Sequence, residues 1–215
     1  MDFMKIIKSL ELLLYELMVW FVFYPRTLWL AVTAPLKLMA YADAELGDED
    51  EDRYSDTLSP PIFLAITLAL VHLVEIAGAL NVDANGMLAD DKNLIAFRLI
   101  AFAIFPLMLS LRMLRAKGIA LDRKTLRAPF YAQCFVVAPF AIIFDVAAIL
   151  LSHAVFPGVA ALLFVLAFAW YLSVQTLWLR TELATGWLRG FLHALRAVLT
   201  ALFFLLLLTI VVSQL

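Results

Sequence analysis

The chain has 215 residues, 65% of them hydrophobic and 16% charged, with a mean hydropathy of +0.97. Soluble domains carry roughly 25% charged residues, so this composition excludes an ordinary water-soluble fold. A formal net charge of −2 provides no basic field for nucleic acid, and the lone cysteine, Cys134, excludes an intramolecular disulfide framework and a thiolate metal cluster.

The first apolar stretch, Leu10–Tyr24, is about fifteen residues long and is interrupted by Glu11 and Glu16, short of the ~20 residues a span needs. The same acids, and the lack of a small-residue cleavage site, argue against a cleaved signal peptide. Pro25-Arg26 is expected to break the helix, after which Thr27–Ala42 forms a second amphipathic stretch around Pro35. Two helices at the cytoplasmic interface are expected, with Trp20, Tyr24, Trp29 and Tyr41 at headgroup depth. A sixth span is the rival, but it would carry Lys5 and Lys8 to the outer side.

Residues 43–56 hold eight acids against the single base Arg53. The run reads first as a solvated linker. The sharper reading is a docking strip for a basic cytoplasmic partner, or a cation site, centred on Asp48, Glu49, Asp50, Glu51 and Asp52. Its spacing does not match a calcium loop. Leu58-Ser59-Pro60-Pro61 ends the strip and suits the first turn of a helix. The chain thus divides into a cytoplasmic, interfacial region (1–57) and a transmembrane domain (58–215).

Five long apolar stretches follow: Pro61–Leu80, Leu94–Leu111, Phe130–Ala154, Val159–Leu179 and Phe191–Val212. Each has about the length, ~20 residues at ~1.5 Å rise, that carries a helix across ~30 Å of hydrocarbon. The expected fold class is all-α: a multi-pass transmembrane helical bundle of five spans with N-terminal interfacial amphipathic helices. Pro106 and Pro139 fall inside spans and should bend them. Gln175 is expected to hydrogen-bond between helices, and His193 and Arg196 to snorkel towards the boundary. The run Phe203–Leu208 reads as lipid-facing.

The sixteen Lys and Arg are unevenly placed. Five lie in residues 1–60 and six in 112–128, with Arg180, Arg189 and Arg196 further on. The 81–93 loop has only Lys92, and the His153–Gly158 turn and the C-terminus have none. Basic residues stay in the cytoplasm, so the N-terminus is expected inside and the C-terminus outside, in a bacterial cytoplasmic membrane.

Charges at membrane depth are functional candidates by default. His72 and Glu75 stand three apart, on one face of the first span; Arg98 lies in the second and Asp145 in the third. Antiparallel neighbouring spans bring all four to the same outer level, where Arg98 is expected to pair with Glu75, Asp145 or both. One reading is an ion-pair lattice that fixes helix packing; the other is a proton or ion path in which His72 or Glu75 titrates. No GxSxG, HExxH, paired intramembrane aspartates or phosphate-binding glycine loop occurs, and His72-x-x-Glu75 lacks the further ligands of a metal site. No catalytic residue, metal or cofactor is expected.

Several soft motifs run through residues 20–215: Phe23-Tyr24-Pro25-Arg26, the Pro60-Pro61 entry to the first span, Phe130-Tyr131…Pro139, and Trp170…Trp178-Leu179 before a basic turn and final span. Together with a cytoplasmic N-terminal region and five spans, they give a layout that resembles the Yip family of Rab-GTPase-interacting membrane proteins, in its prokaryotic branch. The resemblance implies a non-enzymatic adaptor or membrane-organising protein that works in the lipid bilayer with a cytoplasmic protein partner. The alternative from the buried charges is a small homo-oligomeric permease or ion channel.

Overall fold

The computed structural model describes residues 3–46, 54, 56–78, 90–154 and 156–214. Among them are seven helices and no strand: α1 (Phe3–Thr33), α2 (Pro35–Glu45), α3 (Pro60–Ala77), α4 (Asp91–Lys117), α5 (Arg123–Ser152), α6 (Pro157–Glu182) and α7 (Trp187–Ser213). Five of these, α3 to α7, are long and apolar enough to cross a membrane, and they coincide with the five apolar stretches of the sequence. The fold is an all-α multi-helix bundle.

Local chemistry sets the ends of these helices. Pro60 and Pro157 occupy the first turns of α3 and α6, where a missing N–H goes unnoticed. Asp90 caps α4, its side chain accepting from Lys92 N at 2.8 Å. A capping box starts α5: Asp122 Oδ1 accepts from Lys124 N and Thr125 N, both at 2.7 Å, and Thr125 Oγ1 accepts from Asp122 N at 3.0 Å. Those backbone donors, Thr125 first, hold the Asp122 carboxyl below its ordinary range. Gly118 ends α4 at φ 67°, the left-handed conformation that glycine adopts without a steric cost.

The bundle is organised around α5, which packs against α3, α4, α6 and both N-terminal helices, while α7 closes the bundle against α6 and α4. The apolar window of α5 is 61% buried, against 17% for α7. Helix α5 therefore contributes more of the core than any other helix: Phe135, Val136, Val137, Ala138, Phe140 and Ala141 are all 0% exposed. In the first turn of α7, Gly190 lets this helix approach α6 closely; a Cβ there would meet Thr176 O at 3.0 Å.

The N-terminal region departs from expectation at Pro25. Helix α1 runs through Pro25 without ending and stops at Thr33; the break falls at Ala34, at φ −138° and ψ 49°, just before Pro35. The residue preceding a proline is pushed out of the helical region, so both prolines favour a break, and tertiary packing chooses between them. Beyond Pro25 the helix is anchored by the fully buried Thr27 and Ala31, and Leu58 N donates to Thr27 Oγ1 at 3.3 Å. Tyr24 adds a 3.2 Å hydrogen bond to Thr67 and a ring contact at 5.4 Å with Phe63.

Helix α2 is more deeply engaged than an interfacial helix needs to be. Leu38, Met39 and Ala42 are buried and join the main core. By contrast α1 from Met4 to Val22 exposes an apolar series including Leu10, Leu13, Leu14, Met18 and Phe21.

Candidate functional site

The four charged residues singled out in the spans meet at one end of the bundle, opposite the end that carries Lys117, Arg123 and Lys124. His72 and Glu75 lie in the closing turns of α3, Arg98 in the second turn of α4 and Asp145 two turns before the end of α5. Their exposures are 3%, 1%, 8% and 6%. Helical spacing puts His72 and Glu75 on the face that α3 turns inwards; the antiparallel course of α4 brings Arg98 to their level.

Arg98 is the link. Its Nη2 lies 2.5 Å from Glu75 Oε2, and its Nη1 lies 3.3 Å from His72 Nδ1. A guanidinium only donates, so Nδ1 is the acceptor and the imidazole carries its proton on Nε2. That N–H faces Asp91 Oδ1 at 4.0 Å, beyond hydrogen-bond length; Asp91 itself is 70% exposed. His72 Nδ1 also stands 3.7 Å from Glu75 Oε2.

The expected pairing of Arg98 with Glu75 is thus present. Asp145 makes no ion pair with Arg98 within 4.0 Å, although it feels the charges of Arg98 and Glu75, and its Oδ2 is buried with no hydrogen-bond partner. One guanidinium cannot neutralise two carboxylates.

An aromatic layer lies on the interior side of the cluster. Phe102, one turn after Arg98, meets Phe105, Phe140 and Phe144 at centroid distances of 6.3, 6.4 and 5.8 Å. Phe140 stacks on Tyr171 at 4.6 Å and 25° and touches Phe168 at 5.2 Å. Farther along, Gln133 of α5 and Gln175 of α6 exchange reciprocal hydrogen bonds at 2.8 and 2.6 Å, both side chains being 0% exposed. Gln175 is therefore the interhelical group the sequence suggested. Gln133, a glutamine equally isolated in an apolar run, carried the same signal and was passed over. Asp91 was missed for a different reason: at the start of a helix it looks like any solvated cap residue.

The acidic strip Asp48, Glu49, Asp50, Glu51 and Asp52 lies outside the described residues. Its flanks do not. Arg26 pairs with Asp56 at 3.2 Å, Tyr41 donates to Asp56 at 2.5 Å, and Tyr54 N donates to Glu45 Oε2 at 2.5 Å. Burial, and then the bond to Asp56, push the Tyr41 hydroxyl above its ordinary range. Asp43 is pushed up to about 6, first by desolvation and then by the Glu182 carboxylate, with Lys117 opposing. Among the described residues no group of His, Cys, Asp and Glu is arranged to hold a metal ion. No family model, curated protein or solved structure matches this chain.

Proposed function

We propose that this chain is a non-enzymatic integral membrane protein of the adaptor or membrane-organising kind, as its resemblance to the Yip family implies, with its N-terminus in the cytoplasm of a bacterium. The observation that carries this reading is the way the buried polar groups are used. Arg98 ties α4 to Glu75 and His72 of α3, and Gln133 ties α5 to Gln175 of α6. Polar groups that join neighbouring helices and abut a packed aromatic layer serve helix registration better than conduction. The partner-facing part would be the exposed α1 together with the acidic run that follows α2.

A permease or proton path is the second reading. It is favoured by the buried Asp145 Oδ2 with no hydrogen-bond partner and by the short step from His72 to the exposed Asp91. Proton and monovalent-ion flux in liposomes holding the wild type, Glu75→Gln or Arg98→Ala separates the two. The adaptor reading expects no flux from any of them and lower thermal stability in both variants. Flux that Glu75→Gln abolishes while the protein stays folded would replace it with the transport reading.

A further inference from the structure

Towards the basic end of the bundle, a groove of about 260 Å³ lies between the last turns of α4 and the middle of α7. Arg112, Arg115 and Arg196 line it together with Met108, Leu111 and Phe204. The helix directions order these residues: Met108 on α4 and Phe204 on α7 lie farther from the basic end than the arginines do. The groove therefore passes from cationic to apolar along the direction in which a membrane passes from headgroup to acyl chain.

The arginines have no anionic partner among the described residues. Among the described residues no carboxylate comes within 4.0 Å of any of the three, whereas Lys117 at the same end is paired with Glu182 at 2.5 Å. Arg112 instead donates its Nε to His193 Nδ1 at 2.9 Å, which makes that imidazole a neutral acceptor rather than another cation. Arg112 also feels the positive charges of Arg115 and Arg196. Three like charges around one groove repel one another, and the contact with His193 aims the Arg112 guanidinium without neutralising it.

We propose that this groove binds an anionic phospholipid from the surrounding bilayer, with its phosphate on Arg112, Arg115 and Arg196 and an acyl chain along Met108, Leu111 and Phe204. Guanidinium groups match phosphate oxygens in a planar fork, and basic pockets between membrane helices on the cytoplasmic side suit such headgroups. The apolar continuation selects the lipid over a soluble anion. Arg112 and Arg196 come from different helices, so the lipid would also link α4 to α7.

Native mass spectrometry of the full chain, titrated with phosphatidylglycerol, tests the site. Arg112→Gln with Arg196→Gln is expected to weaken binding about thirtyfold, from roughly 1 kcal/mol per basic residue. Arg123→Gln with Lys124→Gln, outside the groove, is expected to leave it unchanged. Phosphatidylcholine and soluble glycerol 3-phosphate are expected to bind far more weakly. If the double variant does not fold, the exposed Arg196→Gln alone is expected to lose about fivefold. Equal losses in the two pairs of variants would mean diffuse attraction and overturn the proposal. Equal affinity for phosphatidylcholine or for glycerol 3-phosphate would overturn it too.

Discussion

Removing Arg98 would leave the Glu75 carboxylate buried without its cation, and breaking a buried pair from one side costs about 3–5 kcal/mol. Arg98→Met should therefore lower the thermal midpoint markedly. Adding Glu75→Gln to it should recover part of that loss, because the stranded charge is gone. Simple additivity of the two substitutions, measured by thermal denaturation in detergent, would mean that the contact is geometric and not energetic. Asp43 shows the opposite charge logic on the surface. Its carboxyl is raised from 3.8 to about 6, so the folded chain holds that proton more tightly than the unfolded chain does. Protonation then favours the fold, and this contribution is lost as pH rises from 3.8 to about 6. Asp43→Asn should melt higher than the wild type at pH 8, with the gap closing as pH falls through 6 and 4; a gap independent of pH would refute the assignment.

The helices themselves were legible because lipid makes a blunt demand. A chain crossing hydrocarbon must satisfy its backbone internally and present about twenty apolar residues to do so, and α3 to α7 meet that demand in plain view. Contacts between helices were only half legible. His72 and Glu75 announced a common face through their spacing, and Arg98 announced itself as a cation that must be paired. The partner of Gln175 was not deducible from spacing, because it depends on the register of α5 against α6. That register makes a further prediction. Gln133→Leu alone should destabilise by about 1–2 kcal/mol, since it strands the Gln175 amide in the core. Gln133→Leu with Gln175→Leu should recover most of the loss in the same thermal assay, and a double variant as damaged as the single would show that volume matters more than hydrogen bonding.

For the whole molecule, charge placement sets the expected orientation and Cys134 makes it testable. Cys134 is only 1% exposed, so new cysteines can be labelled against a quiet background. Cysteine at Asp122 should react with a membrane-impermeant thiol reagent only from the cytoplasmic side, and cysteine at Ser213 only from the outer side. Cysteine at Lys8 should react from the cytoplasmic side if α1 lies at the interface. Reaction of Lys8→Cys from the outer side would make α1 a sixth span.

By itself the sequence determined the solvent of this protein, the helical class and the positions of five apolar helices, because each follows from local composition and length. It also named the charges that had to find partners. The tertiary structure decided the rest: that α5 forms the hub, that Pro25 is bridged while Pro35 breaks the chain, that Asp91 approaches His72, and that three arginines from two helices share one groove. None of these is a property of a segment. Each depends on which faces of distant helices meet, and packing settles that through many small contacts at once.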